Sequence, residues 1–366
     1  MIYSRRQFIS MLVGLGAAPI VSAVEIKSLP YFYSARANKM GRYFITALDA
    51  QGQSVFDVPL PGRGHGMALH PHRHELLAFA RRPGEYLLVM NSLTGEVLHE
   101  LRSQTERHFY GHGVFSADGR WLYTTENHFA TGQGVIGVRD ALQGYQQVNE
   151  FPSYGIGPHE LVLSPDHTTL IVANGGILTH PDTGRSKLNL DSMRSCLAYI
   201  DRQTGKLIAD YTLPKPLHQL SMRHIAVNQA GQVAIAMQFQ GSRQQRPPLI
   251  GLHQKGQAIQ LLTPPSEVVQ RMKNYCGSVC VDPSQRYFAI SSPRGNLVTF
   301  WSFAEATLQG TATIGDGCGV AAGTVKGEFL LSGGHGGVYR YQVHNKLKSE
   351  LVQHSDSLWD NHLLSS

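Results

Sequence analysis

Short apolar segments bounded by Gly, Asn, Asp or Pro turns recur along the chain about every 45 residues. Residues 32–60 and 76–101 share one order: strand, polar loop, strand, tight turn, strand. A further strand starts each repeat, often at a Gly-His or Pro-His pair, and His65, His112 and His159 follow one another at intervals of 47 residues. No long helical periodicity interrupts the pattern, so it predicts a β-propeller.

The repeats predict seven blades of four strands each. Six blades are continuous in sequence, and they cover residues 65–101, 111–151, 157–213, 222–262, 275–313 and 318–354. The seventh combines one C-terminal strand with three N-terminal strands, at about 358–364, 31–36, 43–48 and 53–58. Sharing a blade between the termini closes the ring and removes the exposed sheet edges. We therefore expect an all-β, seven-bladed β-propeller that forms a single domain over residues 24–366.

The N-terminus predicts an export signal rather than part of the fold. Ser4–Ile9 contains the Arg5-Arg6 pair of a twin-arginine leader, residues 7–24 carry no charge, and Val21-Ser22-Ala23 is a small-residue cleavage site. A membrane anchor is the alternative, but the segment is rich in glycine and alanine and is interrupted by Pro19. Residues 1–23 are therefore expected to be a signal peptide. The mature chain is then expected in the periplasm, with no membrane span after cleavage.

Composition and motif content exclude several classes of function. The formal net charge is +6, and no Lys/Arg block indicates a nucleic-acid partner. The four cysteines form neither CxxC nor CxxCH, so a thioredoxin-like motif and covalent haem are not predicted. The chain also lacks the GxSxG elbow of serine hydrolases and a GxGxxG motif in a βαβ setting.

The loops that carry unusual residues are expected at one end of the propeller. In an antiparallel meander, the loop before the first strand and the loop between the second and third strands lie at the same end. Arg81-Arg82, Gln238–Arg246 and Pro293–Asn296 are loops of the second kind, and His65 and His159 begin first strands. Functional loops on a rigid scaffold are a common arrangement, and the arginines would give this face a positive potential.

A group of histidines at this end is the sharpest chemical signal. Neutral imidazoles beside a carboxylate such as Glu160 suit a transition metal, with iron or copper as the expected cofactor. Four histidines that begin innermost strands are the predicted metal ligands: His65, His112, His159 and His224. A further histidine, His362, lies in the closing strand.

The register of these strands argues against a complete ring of ligands. His112 and His159 differ in register by one residue, and such a slip turns a side chain to the opposite sheet face unless a bulge intervenes. In the fourth blade Arg223, rather than His224, shares the register of His159, and Gly277 occupies it in the fifth. Under the alternative interpretation, the histidines bond to backbone groups between blades.

A second group of residues is predicted to bind an anionic or metal-bearing ligand. The interval from His159 to His224 is extended by an insert at 175–190, and an insert of this length inside a blade is often functional, although a surface extension is the alternative. Arg185 in the insert and Arg223 would hold the anionic group. The other predicted ligand-binding residues are Glu160, Asn174, His180, Asn189 and His335.

These motifs together resemble the domain-of-unknown-function 1513 family. The resemblance rests on the twin-arginine leader, Gly64-His65-Gly66, Gly111-His112-Gly113, Gly157-Pro158-His159-Glu160 and the insert at 174–189, and it covers nearly the whole mature chain. The family is viewed as periplasmic seven-bladed propellers, and its genes often accompany imelysin-type iron-regulated lipoproteins and a dihaem oxidoreductase. The resemblance therefore implies metal handling in the cell envelope, with periplasmic iron-uptake or redox proteins as partners.

Our first functional interpretation is an accessory propeller that binds a metal, a metal complex or a partner protein at its loop-rich face. The second is an enzyme, either a redox protein or a lactonase-like hydrolase that uses His159, Glu160 and Arg223. The third is an interaction platform without a small ligand. The first is preferred because no nucleophile lies beside a base in the sequence.

Overall fold

The computed structural model describes residues 28–184 and 186–366. The predicted signal peptide, residues 1–23, and the predicted anion ligand Arg185 lie outside the described residues.

Seven antiparallel sheets of four strands each make up the described chain. The N-terminal strands are β1 (Phe32–Ala37), β2 (Tyr43–Leu48) and β3 (Ser54–Leu60). The strands of blades 1 to 3 are β4 (Gly64–Leu69), β5 (Glu75–Ala80), β6 (Tyr86–Asn91), β7 (Val97–Arg102), β8 (Arg107–Phe115), β9 (Trp121–His128), β10 (Gln133–Asp140), β11 (Gln146–Pro152), β12 (Pro158–Leu163), β13 (Thr169–Asn174), β14 (Cys196–Asp201) and β15 (Leu207–Thr212). Those of blades 4 to 6 are β16 (Leu220–Val227), β17 (Gln232–Phe239), β18 (Ile250–Gln254), β19 (Gln260–Leu262), β20 (Ser278–Val281), β21 (Tyr287–Ser292), β22 (Leu297–Ser302), β23 (Leu308–Thr313), β24 (Gly317–Ala322), β25 (Glu328–Gly333), β26 (Gly337–Gln342) and β27 (Leu347–Gln353), and the chain ends with β28 (Leu358–Ser365).

Helical structure is confined to short segments in the described residues. The predicted helical pattern after blade 4 forms α1 (Ser266–Arg271), which buries Val268 and Val269 in the core. Four 3-10 turns occur, at Ala141–Gln143, Pro181–Thr183, Lys215–Leu217 and Pro293–Gly295. None of the helical segments described has the length and apolar character that a membrane crossing requires.

Blade 7 closes the ring as the sequence predicts. Its strand order is β28-β1-β2-β3, and β28 pairs antiparallel with β1 through Phe32 opposite Ser365 and Tyr33 opposite Leu364. The first strand of each blade contacts the first strand of the next, in the cyclic order β28, β4, β8, β12, β16, β20, β24 and back to β28. These seven innermost strands therefore surround a central channel, and the all-β seven-bladed propeller is confirmed.

The hydrophobic core lies between adjacent blades. Tyr33 and Ile45 of blade 7 pack with Leu76 and Leu88 of blade 1 in one buried cluster, and comparable clusters fill the other blade interfaces. The outermost strands mix polar and apolar residues and are largely exposed, as β7 and β27 show. This packing fixes the inner strands rigidly, so the side chains that they present to the channel are held in place.

Candidate functional site

Five histidines, one from each of five innermost strands, meet at the channel. We call this group the histidine cluster; its ring centroids are 4.5 to 6.4 Å apart in the measured pairs, and its members are His65 on β4, His112 on β8, His159 on β12, His224 on β16 and His362 on β28. All four histidines predicted as metal ligands are therefore neighbours in space. The two remaining blades contribute none to the cluster, because Gly277 and Cys318 occupy the corresponding regions. The ring is incomplete, as the sequence predicts.

β-bulges explain why the register difference did not separate these histidines. The pairing register shifts between Pro158 and Glu160 on β12, which releases His159 from the ladder. It also shifts on β8 before Gly113 and on β4 after Gly64, next to His112 and His65. The irregularity adds one residue on β12 and two on β8, so the one-residue difference in register between His159 and His112 is absorbed. The expectation that His112 and His159 face opposite sides was conditional on straight strands, and the bulges correct it.

Glycines beside the histidines permit this close approach. A Cβ atom at Gly66 would lie 2.4 Å from the carbonyl oxygen of Gly111 and 2.8 Å from Nδ1 of His112. Gly111 has a positive φ of 107°, and a Cβ atom there would meet Cδ2 of His65 at 2.6 Å. The Gly-His-Gly motifs therefore have a steric cause: neighbouring inner strands pack with an imidazole against glycine backbone.

The imidazoles of the cluster are buried and uncharged at neutral pH. Each is at most 9% exposed. Burial is the main cause that lowers the pKa of all five, to about 4 for His65, and the positive charge of Arg223 lowers the pKa of His159 further. Neutral imidazoles retain a nitrogen lone pair, which is the form that binds a metal ion.

Glu160 orients two of the imidazoles. Nδ1 of His224 lies 3.0 Å from Oε2 of Glu160, and Nδ1 of His112 lies 3.5 Å from Oε1. The backbone N–H of Ile225 donates to Oε2 at 3.1 Å, and burial raises the pKa of Glu160 to about 8. Oε2 already accepts a hydrogen bond from Ile225, so we treat it as an acceptor for His224 too and assign the His224 proton to Nδ1. The lone pair of the His224 ring is then on Nε2, the nitrogen that does not face Glu160.

Asp360 has the corresponding position beside His65. Its Oδ1 lies 3.9 Å from Nδ1 of His65, which is an electrostatic contact rather than a hydrogen bond. Arg63 donates from Nε to Oδ2 at 2.5 Å, and Arg81 lies 3.9 Å from the same oxygen. Burial alone would raise the pKa of Asp360, but His65, Arg81 and Arg63 together hold it well below its ordinary value. Asp360 is therefore a buried carboxylate anion next to the cluster.

The nitrogen atoms of the cluster form two candidate ligand sets. His65, His112 and His362 form one set and His112, His159 and His224 the other, with the donor atoms of each set within 4.8 Å of one another. Two ligands on opposite sides of a metal with bonds of ~2.1 Å lie ~4.2 Å apart, so small side-chain rotations suffice to bind an ion. Within the described residues, the buried nitrogens without a hydrogen-bond partner include His112 Nε2, His159 Nδ1 and His362 Nε2. The donor set fits a transition-metal ion.

A large cavity opens above the cluster, and we call it the mouth cavity. Its volume is about 1060 Å³, and His65, His159 and His224 form part of its lining. No Asp or Glu is among the described residues that line it. Eight lining residues are basic, and we call them the basic wall: Arg81, Arg82, Lys187, Arg223, Arg243, Arg246, Lys273 and Arg294.

The basic wall concentrates positive charge in a confined volume. Burial lowers the pKa of Lys187, and the charges of Arg294, Arg223 and Arg82 lower it further. These residues come from four different blades, so their proximity is a property of the tertiary structure. Several belong to the loops between second and third strands, which confirms that part of the predicted convergence.

The structure groups six of the predicted site residues at the mouth cavity or directly below it. They are His65, His112, His159, Glu160, Arg223 and His224. His112 lies below the cavity lining, and Glu160 connects it with His224. These residues fit the predicted ligand site geometrically.

Four other predicted residues do not join this group. Asn174 is fully buried and donates to the carbonyl of Ser153 at 2.8 Å, and Asn189 accepts from Leu178 N–H at 2.7 Å and donates to the carbonyl of Gly176 at 2.9 Å. His180 packs on Phe129 and accepts from Asp182 N–H, and His335 is exposed and lies outside the cavity lining. The two asparagines brace the insert, and through it Ile177 and Lys187 reach the cavity.

The sequence did not single out Asp360 or the lining residues Lys187, Arg243, Arg246 and Lys273. Asp360 lies two residues before His362 on β28, in the stretch where the pairing with β1 is irregular, and both side chains reach His65. This spacing is a usable signal only after β28 is recognised as an innermost strand, because no Gly-His or Pro-His pair precedes it.

The chain matches one protein family and resembles a solved structure. Residues 58–366 match the profile of the family described as "Protein of unknown function (DUF1513)". Among solved structures, the chain is similar to Kuenenia stuttgartiensis hydrazine synthase, with a TM-score of 0.59 and 14% identity over 93% of this chain and 100% of that chain. At this identity the likeness shows the fold alone. A search of curated proteins gave no match.

Proposed function

We propose, for a chain that belongs to the DUF1513 family, that this β-propeller binds a first-row transition-metal ion through the histidine cluster. The observation that carries the proposal is the convergence of five buried, neutral imidazoles from five blades, with donor nitrogens in two sets that share His112. Burying these groups without partners costs free energy, so their retention needs a compensating interaction. A bound metal ion supplies one.

The chemistry of the ligands limits the metal. Imidazole suits zinc, copper, iron and nickel, whereas calcium and magnesium prefer oxygen ligands. Iron or copper is the metal we propose. Glu160 and Asp360 support the imidazoles as hydrogen-bonding and electrostatic partners, an arrangement typical of histidine ligands in metal sites.

A metal titration tests the proposal. Metal-free protein, prepared by dialysis against a chelator, is titrated with Cu²⁺, Zn²⁺ and anaerobic Fe²⁺ in a calorimeter, and the bound metal is quantified by elemental analysis. We expect saturable uptake with Cu²⁺ the tightest, in line with the general order of divalent metals. Uptake by the wild type that is no greater than uptake by a denatured sample would refute the metal site.

Variants locate the metal. His112→Ala removes the ligand common to both sets and is expected to abolish binding, whereas Glu160→Gln is expected to weaken it about 10- to 100-fold. The exposed His74 is a matched control, and His74→Ala should bind as the wild type does. Circular dichroism establishes that each variant is folded. Undiminished binding by folded His112→Ala would place the metal elsewhere.

We also propose that the protein acts in the periplasm as an accessory to iron or metal handling. The twin-arginine leader and the family resemblance support this location and role. Replacement of Arg5 and Arg6 by lysine is expected to retain the protein in the cytoplasm, which cell fractionation measures. Unchanged export would remove the support that the leader gives.

A catalytic role is the second candidate. The observation that favours it is the cavity beside the cluster, where a substrate could contact a metal held by His159 and His224. Glu160, whose carboxyl has a raised pKa, bonds to His224 next to this cavity. Turnover of a lactone or a redox dye by metal-loaded protein, abolished in His112→Ala, would favour an enzyme over an accessory binding protein.

A further inference from the structure

The basic wall is short of compensating negative charge. Six of its members form no ion pair with a carboxylate among residues 28–184 and 186–366: Arg82, Lys187, Arg243, Arg246, Lys273 and Arg294. Arg294 instead lies over the ring of Tyr275 at 4.3 Å, and Arg82 donates to Thr179 Oγ1 at 3.4 Å. Cations gathered in a concave, partly desolvated site attract an anion more strongly than scattered surface cations do.

A metal in the histidine cluster would increase this imbalance. Its proposed ligands are neutral imidazoles, so a divalent ion would keep its full charge. The nearby carboxylate, Asp360, is already bonded to Arg63. Glu160, the other carboxylate beside the cluster, accepts from the backbone N–H of Ile225 and contacts His224 and His112 rather than the basic wall. An anionic ligand on the cavity side of the metal would balance both the ion and the arginines.

The wall also has the geometry for carboxylate or phosphate recognition. A guanidinium presents parallel N–H donors that match two oxygens of such a group. Four side-chain amides also line the cavity, and each donates one of its two N–H groups to a protein acceptor: Gln238, Gln240, Asn274 and Asn361. The cavity volume of about 1060 Å³ is just above the usual range of small-molecule sites, ~300–1000 Å³. It accommodates a chelator of several carboxylate groups.

We infer that the mouth cavity binds a small polyanion, with two or more carboxylate or phosphate groups, which the basic wall holds and which ligates the metal from the open side. The step in which the polyanion ligates the metal rests on the proposed metal site. The binding of the polyanion itself rests on the basic wall alone. The protein would therefore take its metal as an anionic chelate rather than as a bare ion.

Calorimetry with defined probes tests the inference. Citrate and pyrophosphate are titrated separately into metal-free and Zn²⁺-loaded wild-type protein at low ionic strength, with acetate as a monoanion control. We expect citrate or pyrophosphate to bind at least tenfold more tightly than acetate, and more tightly still to the metal-loaded protein. The stronger of the two probes identifies carboxylate or phosphate as the recognised group. Binding of neither probe would overturn the inference.

Paired variants separate the anion site from the metal site. Arg243→Ala combined with Arg294→Ala removes two charges of the wall and is expected to weaken polyanion binding tenfold or more. Arg102 is 71% exposed on β7 and outside the lining, so Arg102→Ala should bind the probe as the wild type does. An equal loss in both would show non-specific attraction and contradict the inference.

His112→Ala distinguishes failure of the inference from failure of the proposed function. If this folded variant takes up no metal but still binds the polyanion, the basic wall binds the anion independently of the metal. If the wild type takes up metal but binds no polyanion, the metal site remains and the inference is wrong. Metal content is measured in every variant, so a loss of anion binding caused by loss of metal is recognised.

Discussion

At the scale of single residues, the cluster combines features that oppose stability. Imidazole nitrogens such as His112 Nε2 and His362 Nε2 are buried without a hydrogen-bond partner, and each such group costs ~1–3 kcal/mol. The glycines that make room for the rings contribute no packing surface of their own. These features are typical of a binding site rather than of a packed core. They also mean that a larger side chain at a glycine beside the cluster would clash with its neighbours.

A Gly66→Ala substitution tests this steric argument. The new methyl group would lie 2.4 Å from a backbone oxygen, which is unable to move aside without shifting the strand. We expect the free energy of unfolding to fall by ~1–3 kcal/mol and metal uptake to weaken. Gly62 is the matched control, since its Cβ would have its nearest neighbour at 3.7 Å. A denaturant titration that gives equal values for Gly66→Ala and Gly62→Ala would contradict the argument.

Asp282 provides a pH-dependent prediction away from the site. Burial alone would raise the pKa of this carboxyl, but hydrogen bonds from Ser284, Tyr287 and Gly327 hold it below its ordinary value. The lowered folded-state pKa means that the stabilisation is present above the unfolded pKa of ~3.9 and is lost as the pH falls through the folded pKa. Asp282→Asn should therefore be less stable than the wild type by ~2 kcal/mol at pH 7.

The difference should shrink as the pH drops below ~4, because the Asp282 carboxyl then takes up a proton in the unfolded wild type while it stays charged in the folded state, so protonation favours unfolding. Urea titrations of both proteins at several pH values measure it. A difference that stays constant from pH 7 to pH 3 would show that the charge of Asp282 is not what stabilises the turn.

At the scale of strands, β28 has two roles, one structural and one in the site. It pairs with β1 to close the ring, and it carries Asp360 and His362 into the cluster. The bulges have a comparable double role on β12 and β16, where they end regular pairing and turn His159 and Arg223 towards the cavity. Site geometry and ring closure thus depend on the same inner strands.

A truncation tests ring closure separately from the site. Removal of residues 358–366 takes away β28, exposes the edge of β1 and uncovers the apolar cluster around Trp359. We expect loss of the cooperative unfolding transition and a tendency to aggregate. His362→Ala keeps the strand and should unfold cooperatively while its metal affinity falls. Cooperative unfolding of the truncated protein would show that closure is dispensable.

At the scale of the molecule, a metal bound by either ligand set would connect three blades whose histidines are far apart in sequence. Binding to the folded state alone stabilises a protein by ~2.7 kcal/mol at a ligand concentration of 100 times the Kd. We therefore expect the Tm in differential scanning calorimetry to rise on metal addition and to return to its starting value when a chelator is added. His112→Ala should show no such rise. An equal rise in wild type and His112→Ala would indicate binding outside the cluster.

The fold could be predicted almost completely because it repeats. The recurrence of strands and turns, with His65, His112 and His159 at equal intervals, indicated the blade number, the strand order and the shared seventh blade. Each of these properties depends on local periodicity, which a single sequence carries. The helix after blade 4 was recognisable for the same reason, since Val268, Val269 and Met272 lie at helical spacing.

The sequence alone also determined which residue types gather at the channel, because inner strands and their loops share one end of a propeller. Only the tertiary structure decided how they meet. Bulges on β8 and β12 bring His112 and His159 together despite their different registers, and the curvature of the ring brings Asp360 to His65 across nearly 300 residues. A bulge depends on packing between neighbouring strands, and a desolvated cavity depends on all the blades around it. Neither leaves a periodic trace in the chain, so the site's charge and its open side emerge only when the ring is closed.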